Sequence, residues 1–298
     1  MILEYEEFAQ KLNNKLFAGS YKKLLETIVD KPDRYLGIYR PSKPKTKIIQ
    51  NITQSHEIKF GDALEDIFEE YFEKLGFELL PQILKKEETT INKRLDIDQL
   101  IKKGSKIYLI EQKIRDDHDS TKKEGQFENF KKKYKEISIK YPNCEVIPIM
   151  WFIDASLQKN KGYYEPEMEK MTEKYGCLPR LCYGEELFER AEDSVTDISI
   201  EMWNEVNEYL TRWQETLPDM YEIDFDAEAE EVFEEIKNMS PDLYQKLFDN
   251  EGIVEQILPI LFTTGEVLKK LREYFRENNY DELYEKVNRY ILNNFGEE

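Results

Sequence analysis

The stretch from Arg94 to Lys113, RLDIDQLIKKGSKIYLIEQK, decides the fold of this chain. Apolar and polar residues alternate from Leu95 to Ile101, and a denser apolar run spans Ile107 to Ile110, so both segments are predicted strands. Gly104-Ser105 lies in the turn between them and is a favoured two-residue hairpin loop, because glycine adopts the positive φ that such a turn requires. The stretch therefore predicts an antiparallel hairpin.

The turn fixes the register, and the predicted cross-strand pairs are Lys103 with Lys106, Asp98 with Glu111, and Asp96 with Lys113. Side chains alternate between the faces of a strand, so these four last residues share one face. Directly opposed residues bring their Cβ atoms to within roughly 4.5–5.5 Å, close enough for two carboxylates to share a divalent cation. The alternative is a charged solvent face on an ordinary hairpin. The run from Ile107 to Ile110 argues against it, because it predicts a strand covered on both faces.

Asp98 and Glu111 would repel each other unless a cation lay between them. Carboxylate oxygens are hard ligands that suit Mg²⁺ or Mn²⁺. Lys113, two residues beyond Glu111 on the same face, is placed to hold an attacking water and to offset charge that develops on a phosphate. The pattern favours metal-assisted hydrolysis of a phosphodiester.

Asp98, twelve intervening residues and then Glu111-Gln112-Lys113 resemble the Asp…Glu-x-Lys signature of the PD-(D/E)xK nuclease superfamily. That superfamily includes many type II restriction endonucleases and archaeal junction resolvases. Asp96 matches an acidic residue that often precedes the metal-binding Asp by two positions, whereas the proline of the superfamily's name is absent. The resemblance implies Asp98, Glu111 and the backbone carbonyl of Gln112 as ligands of Mg²⁺, for which Mn²⁺ can substitute.

The segment from Gly61 to Phe77, GDALEDIFEEYFEKLGF, has a helical stripe of apolar residues and a glycine that ends the helix. Helical spacing sets Glu65 beside Phe72 at the edge of that stripe, so Glu65 is the acid predicted to look inward. The segment resembles the first core helix of the superfamily, in which such an acid approaches the metal. The alternative is that Glu65 only borders the core.

A polar segment follows the catalytic strand, and helical periodicity begins at about Glu124. The basic residues gathered there are Arg115, Lys122, Lys123, Lys131, Lys132, Lys133 and Lys135. Lysines and arginines beside a metal site are suited to contact phosphates, and Arg115, Lys122 and Lys123 are candidate DNA ligands. His118 is predicted either to contact DNA or to have a purely surface role. Gln126 resembles the polar residue that opens the second core helix of several relatives and holds the lysine or the water.

A second basic segment, RPSKPKTKIIQNITQSH, spans Arg40 to His56. It carries Arg40, Lys43, Lys45 and Lys47 without an acid, and its two prolines predict an extended loop. One interpretation is a loop that meets DNA phosphates; the other is a solvated surface loop.

The net charge of −19 would by itself argue against DNA binding. Residues 1–150 carry 28 Lys and Arg against 26 Asp and Glu, whereas residues 151–298 carry 15 against 36, so the excess acid lies in the second half. Three cysteines without disulfide or zinc spacing favour a reducing compartment. The start MILEYEEF resembles no signal peptide, and no run approaches the ~18 apolar residues of a membrane span. We therefore expect a cytoplasmic protein that has no membrane segment.

The apolar run from Val146 to Ile153 predicts a buried strand, and Leu181 to Tyr183 predicts a last one. The expected fold class is α/β: a restriction-endonuclease-like core, with a mixed β-sheet flanked by helices, and a C-terminal helical subdomain. The predicted domains are 1–56 (helical segment and basic loop), 57–195 (catalytic core) and 196–298 (acidic helical subdomain). The acidic helices are interpreted as a solvated face; a dimerisation arm and a device that repels DNA are alternatives.

The predicted function is that of a Mg²⁺-dependent type II restriction endonuclease that cuts double-stranded DNA at a specific sequence. Its expected partners are a second copy of itself, since a homodimer suits a palindromic site, and a cognate DNA methyltransferase. The nearest alternative is a Holliday-junction resolvase or repair endonuclease with the same core. An alternative of another class is a catalytically inactive DNA-binding protein.

Overall fold

The computed structural model describes residues 2–117, 119–188, 198–219 and 221–296. The α-helices of these residues are α1 (Tyr5–Phe17), α2 (Ser20–Asp30), α3 (Pro44–Lys74), α4 (Ser120–Lys140), α5 (Lys161–Tyr175), α6 (Ile200–Gln214), α7 (Ala229–Ile236), α8 (Pro241–Asp249), α9 (Glu251–Gln256), α10 (Leu258–Leu261), α11 (Glu266–Glu277) and α12 (Asp281–Phe295). The strands are β1 (Glu78–Leu79), β2 (Ile83–Leu84), β3 (Leu95–Asp96), β4 (Gln99–Lys103), β5 (Lys106–Lys113), β6 (Glu145–Phe152) and β7 (Arg180–Tyr183).

Five strands form one mixed sheet in the order β1-β4-β5-β6-β7. The pairs β1 with β4 and β4 with β5 are antiparallel, whereas β5, β6 and β7 run parallel. The interior strand β6 contains Pro148, which lies outside the part of β6 that pairs with β7, so the missing proline N–H costs that pairing nothing. The mixed sheet with flanking helices confirms the predicted α/β class.

The predicted hairpin is confirmed as β4 and β5, with Lys103 opposite Lys106 and Gly104 at a φ of 60°. The prediction that Asp96 faces Lys113 is wrong. Asp96 lies in a separate two-stranded sheet opposite Ile83, because the chain before β4 pairs with β2 instead of continuing the hairpin. The Asp96 carboxylate is exposed and accepts a bond from Arg94 at 2.7 Å.

The sheet has an apolar layer on each face. On one face Ile107 and Leu109 of β5 share a buried cluster with Phe127 and Phe130 of α4, a cluster to which α5 also contributes. The opposite face is covered by α3 and α6, and the edge of the Trp151 ring of β6 meets Phe68 of α3 at 4.9 Å. Trp203 of α6 lies 6.0 Å from the same ring. Helices on both faces explain why β5 is apolar throughout its centre.

The chain forms two compact units that alternate along the sequence. Unit 1 comprises residues 1–12 and 60–216 and contains the sheet, whereas unit 2 comprises residues 13–59 and 217–298 and is helical. The core of unit 2 joins α2 and the start of α3 to the helices from α7 to α12. The sequence predicted three consecutive segments instead, and that division remains a prediction about folding domains.

Two local predictions need correction. The basic segment from Arg40 to His56 is not an extended loop, because α3 begins at Pro44 and runs without interruption to Lys74. Proline is well suited to the first turn of a helix, where its missing N–H has no partner to lose. Helical periodicity in the C-terminal region predicts four helices after α6, near residues 232–236, 253–262, 267–275 and 283–292. The structure has α8 in addition, and Pro259 lies in the first turn of α10, so a separate helix starts there.

All three cysteines, Cys144, Cys177 and Cys182, are free. In the described part of the chain, no helix has both the length and the apolar character that crossing a bilayer requires.

Candidate active site

Glu111 and Lys113 lie at the C-terminal end of β5, two residues apart. They have the same parity as Ile107 and Leu109, so they lie on the face of the sheet that α4 covers. The Glu111 side chain is 5% exposed and that of Lys113 is 28% exposed. The strand therefore places the buried carboxylate of Glu111 beside the more exposed side chain of Lys113, on one face of the sheet.

Asp98 is the residue before β4. Extending the register of the hairpin by one residue places Asp98 opposite Glu111. Its Oδ2 accepts a hydrogen bond from the backbone N–H of Gln112 at 2.9 Å and one from Lys113 Nζ at 2.5 Å. The backbone bond fixes the carboxylate against β5. The predicted neighbours Asp98, Glu111 and Lys113 are thus brought together.

Lys113 Nζ lies at the centre of three oxygens. It is 2.5 Å from Asp98 Oδ2, 3.1 Å from Glu111 Oε1 and 2.7 Å from the carbonyl oxygen of Gln112. Burial by itself would lower the pKa of this ammonium, but the charges of Glu111 and Asp98 outweigh burial and raise the pKa above its ordinary value. One positive charge is therefore shared by the three oxygens that the sequence predicted as metal ligands.

Lys133 of α4 is the functional candidate that the sequence reasoning did not single out. Its side chain is 3% exposed, its Nζ donates to Glu111 Oε2, and the same Nζ lies 3.5 Å from Asp98 Oδ1. A signal was present in the sequence, because Lys133 follows Phe130 by three residues and precedes Ile137 by four, which places it inside the apolar stripe. A lysine in such a stripe needs a buried partner.

Glu65 of α3 is partly buried at the edge of the same site. Burial, and then the negative charge of Asp98, raise the pKa of the Glu65 carboxyl to about 7, while Lys113 acts in the opposite direction. The Glu65 backbone carbonyl accepts a bond from the Gln99 side chain at 2.8 Å, which ties α3 to the start of β4. The Glu65 carboxyl is therefore close enough to Asp98 and Lys113 for their charges to affect its pKa.

Gln126 lies on α4 but contacts another element. Its Oε1 accepts a bond from the hydroxyl of Tyr164 at 3.2 Å, and its Nε2 is buried without a hydrogen-bond partner among the described residues. Its described contacts do not include Lys113 or the two carboxylates. Lys133, two turns further along α4, makes the contact with Glu111 instead.

The candidate DNA ligands lie in both units. In unit 2, Arg40 donates to the backbone oxygens of Leu36 and Asp33, and Lys47 donates to Gln50 at 2.8 Å. Lys43 and Lys45 are exposed beside the N-terminus of α3.

In unit 1, Arg115 lies 3.7 Å from Asp154, and Lys123 is placed over the ring of Tyr163 at 4.8 Å. Lys122 is exposed in the first turn of α4, whose N-cap is Asp119. His118 lies outside the described residues.

The donor set around Lys113 fits a divalent metal. It consists of two carboxylates and one carbonyl oxygen, the hard oxygens that Mg²⁺ prefers, and they converge on a single cation. Among the described residues there is no group of three or more acidic, histidine or cysteine side chains that could hold a metal by itself. Two carboxylates are nevertheless enough for Mg²⁺, which usually keeps several of its waters.

In a comparison with known families, residues 73–212 match a family model described as type II restriction endonuclease, HinfI. The matched range lies entirely within unit 1 and contains Asp98, Glu111, Lys113 and Lys133, and it extends into α6. Comparison with curated proteins gave no match. Comparison with solved structures gave none either.

Proposed function

We propose that the chain is a Mg²⁺-dependent type II restriction endonuclease with a PD-(D/E)xK core, since residues 73–212 match a family model of type II restriction endonucleases. It hydrolyses phosphodiester bonds of double-stranded DNA at a specific sequence. The observation that best supports the proposal is the convergence of Asp98, Glu111 and the Gln112 carbonyl on one cation, Lys113 Nζ. This is the donor set and charge that hydrolysis of a phosphodiester needs.

In this proposal Asp98, Glu111 and the Gln112 carbonyl would hold the Mg²⁺, and Mn²⁺ can substitute for it. When bound, the metal supplies Lewis-acid chemistry: it makes water more acidic and stabilises negative charge on the phosphate. The protein contributes a rigid frame, since the Gln112 N–H holds Asp98 and the sheet holds Glu111.

Lys113 is the residue that meets the substrate. Its side chain is 28% exposed, so the ammonium can reach a water or a non-bridging phosphate oxygen while it keeps its positive charge. Lys133 is enclosed and acts through Glu111, whose carboxylate it holds in place. The pKa of Glu65 is raised to about 7, so near neutral pH its carboxyl group can accept a proton from a water molecule or donate one to it.

We also propose that the protein acts as a homodimer on duplex DNA, because two copies place one site on each strand of a palindrome. A restriction enzyme requires a cognate methyltransferase that protects the host DNA. A junction resolvase or repair endonuclease with the same core is the alternative activity, and a catalytically inactive DNA-binding protein is the alternative of another class. The assembled carboxylates and lysines favour an active enzyme over the latter.

The test is incubation of the purified protein with unmethylated plasmid or phage DNA in Mg²⁺ or in EDTA, beside Lys113→Ala. We expect discrete fragments in Mg²⁺ only, and a loss of rate of at least about 10²-fold in the variant, because a charge that stabilises the transition state is removed. Lys132→Ala is the matched control, since Lys132 is exposed on α4.

Cleavage restricted to branched DNA would support the resolvase alternative. Binding of duplex DNA without cleavage of any substrate would contradict the proposed mechanism.

A further inference from the structure

Unit 2 contains two adjoining pockets that the nuclease site does not use. The first, the basic pocket, has a volume of about 180 Å³ and lies between α2 and the start of α3. The second, the aromatic pocket, has a volume of about 400 Å³ and is completed by Pro218 and by residues within 221–231. Both are lined by Ser20, Leu24, Ile52 and His56, so they share a wall.

The basic pocket is lined by the cations Lys23, Arg34 and Lys59, and no carboxylate is among its lining residues. Hydroxyl groups of Ser20, Thr27 and Ser55 and the amide of Asn51 also line it. Asn51 Oδ1 accepts a bond from Tyr35 at 2.9 Å, which leaves the amide nitrogen as a donor. Cations surrounded by hydroxyl and amide donors are the groups that bind a phosphate.

The aromatic pocket has the opposite character. Rings of Phe17, Tyr21, Tyr221 and Phe225 line it, and the rings of Tyr21 and Phe225 form a T-shaped pair with their centroids 5.2 Å apart. Its remaining polar lining includes three exposed carboxylates, Glu222, Glu228 and Glu231. A flat ring can stack on these aromatic side chains, the carboxylates can accept hydrogen bonds from its amino groups, and the same carboxylates repel a phosphate.

His56 lies where the two pockets adjoin. It is 7% exposed and is held between the rings of Phe17, at 5.2 Å, and Tyr221, at 4.5 Å. Its Nδ1 is buried without a hydrogen-bond partner among the described residues. A buried polar atom without a hydrogen-bond partner lowers the stability of the folded protein. A hydrogen bond to a polar atom of a ligand in either pocket would remove this penalty.

We propose that unit 2 binds a nucleoside phosphate, with the phosphate in the basic pocket, the base in the aromatic pocket and His56 between them. The opposite charges of the two linings set this orientation. The ligand chemistry, an aromatic base joined to a phosphate, is common to a free nucleotide and to a nucleotide within DNA. The proposal does not depend on the nuclease activity of unit 1.

The experiment is isothermal titration of the full-length protein in EDTA, which separates binding from DNA cleavage. The probes are the four common nucleoside 5′-monophosphates, the corresponding nucleosides, inorganic phosphate and a short DNA duplex. We expect at least one nucleotide to bind about tenfold or more tightly than its nucleoside and than phosphate, because only the nucleotide fills both pockets.

Two variants separate the two ends of the ligand. Arg34→Ala should weaken nucleotide binding about tenfold and leave nucleoside binding unchanged, because a charge-assisted bond to phosphate is lost. Tyr221→Leu, which keeps an apolar side chain, should weaken both. Lys31→Ala is the matched control, since Lys31 is exposed and does not line either pocket.

Binding of free nucleotides with this pattern supports a free-nucleotide source, and binding of the duplex alone, weakened by the same two variants, supports DNA as the source. The proposal is overturned if no probe binds at millimolar concentration, or if binding is unaffected by Arg34→Ala and Tyr221→Leu in proteins of unchanged thermal stability.

Discussion

Glu111 is the acid on which the geometry of the candidate active site depends. One of its oxygens lies 3.1 Å from Lys113 Nζ, and the other accepts a bond from Lys133. Its side chain is 5% exposed, and a carboxylate so enclosed is destabilising unless its charge is compensated. The two lysines supply that compensation, and they do so from different elements, the strand β5 and the helix α4.

Lys133→Met tests this arrangement. The variant leaves the Glu111 charge with one partner fewer, so in EDTA we expect a loss of about 3–5 kcal/mol in the free energy of unfolding, as when a buried ion pair is broken. Mg²⁺ should then stabilise the variant more than the natural protein, because one competing cation has gone. Urea unfolding with EDTA and with Mg²⁺ measures both effects.

Lys132→Met is the control for that experiment, because Lys132 is the exposed neighbour on α4 and should change stability by less than about 0.5 kcal/mol. Equal stabilities of the two variants in EDTA would contradict the role given to Lys133.

His56 provides a pH-dependent prediction for unit 2. Burial, and then the charge of Lys59, lower the pKa of the His56 imidazole from 6.5 to about 4. Between these two values the unfolded chain binds the proton and the folded chain does not, so stability falls as the pH is lowered from 6.5 to about 4 and is constant in this respect above 6.5. The shift limits the effect to about 3 kcal/mol.

The measurement is the free energy of unfolding at pH 7 and pH 5 for the natural protein and for His56→Phe. The variant keeps an aromatic ring between Phe17 and Tyr221 but cannot be protonated, so it should lose less stability on acidification. The same loss in both proteins would rule out His56 as the source.

At the scale of the element, α4 carries Lys133 to the site and is stabilised at its start. The Asp119 side chain accepts a bond from the backbone N–H of Lys122 at 2.9 Å, as an N-cap does. Further along the same helix Gly125 has no heavy atom within 4 Å of the position that a Cβ would take. A larger residue at position 125 could therefore raise the stability of the helix without disturbing the packing around it.

Gly125→Ala should stabilise the protein by about 0.5–1 kcal/mol, because alanine loses less conformational freedom than glycine when a helix forms. Gly265→Ala, at the N-cap of α11, is the opposite case: its φ is +78°, and a Cβ would lie 2.7 Å from the ring of Phe295, so we expect a loss of more than about 2 kcal/mol. Thermal unfolding of both variants gives the comparison. A lower melting temperature for Gly125→Ala would contradict the helical propensity argument.

In the whole molecule, each unit is built from two separate stretches of the chain, and α6 belongs to unit 1 although it follows the last strand. Glu205 of α6 links distant parts of the sequence. Its carboxylate accepts bonds from the backbone N–H groups of Ile2 and Leu3, at 2.8 Å in each case, and from the hydroxyl of Tyr71 at 2.9 Å. The N-terminus, α3 and α6 are thereby joined around one charge.

Glu205→Gln should lower the free energy of unfolding by about 2–3 kcal/mol. The glutamine amide is uncharged, and one of the two accepting oxygens of the carboxylate is replaced by an NH₂ group, which can only donate. Glu208→Gln removes the same charge from an exposed position of α6 and should have little effect. Near-UV circular dichroism during urea unfolding reports on Trp203 and Trp213 of α6 and on Trp151, whose ring contacts that of Trp203. Equally small effects of the two substitutions would contradict the stabilising role given to Glu205.

The hairpin, its register from Asp98 onward, the proximity of Asp98, Glu111 and Lys113, and the α/β class can all be predicted from the sequence. These features follow from local rules: the period of two in a strand, the conformation that Gly104 supplies to a turn, and the density of apolar residues in a buried strand. The restriction-endonuclease resemblance rests on the same short segment. It needed no information about distant contacts.

Which other residues contact that segment depends on the tertiary structure. Lys133 reaches Glu111 because α4 packs on one particular face of β5, and Asp96 is withdrawn because the chain before β4 pairs with β2. The helix that starts at Pro44 and the membership of α6 in unit 1 likewise depend on burial against segments far away in the sequence. Such packing outweighs local preferences by several kcal/mol, which is why composition and spacing do not reveal it.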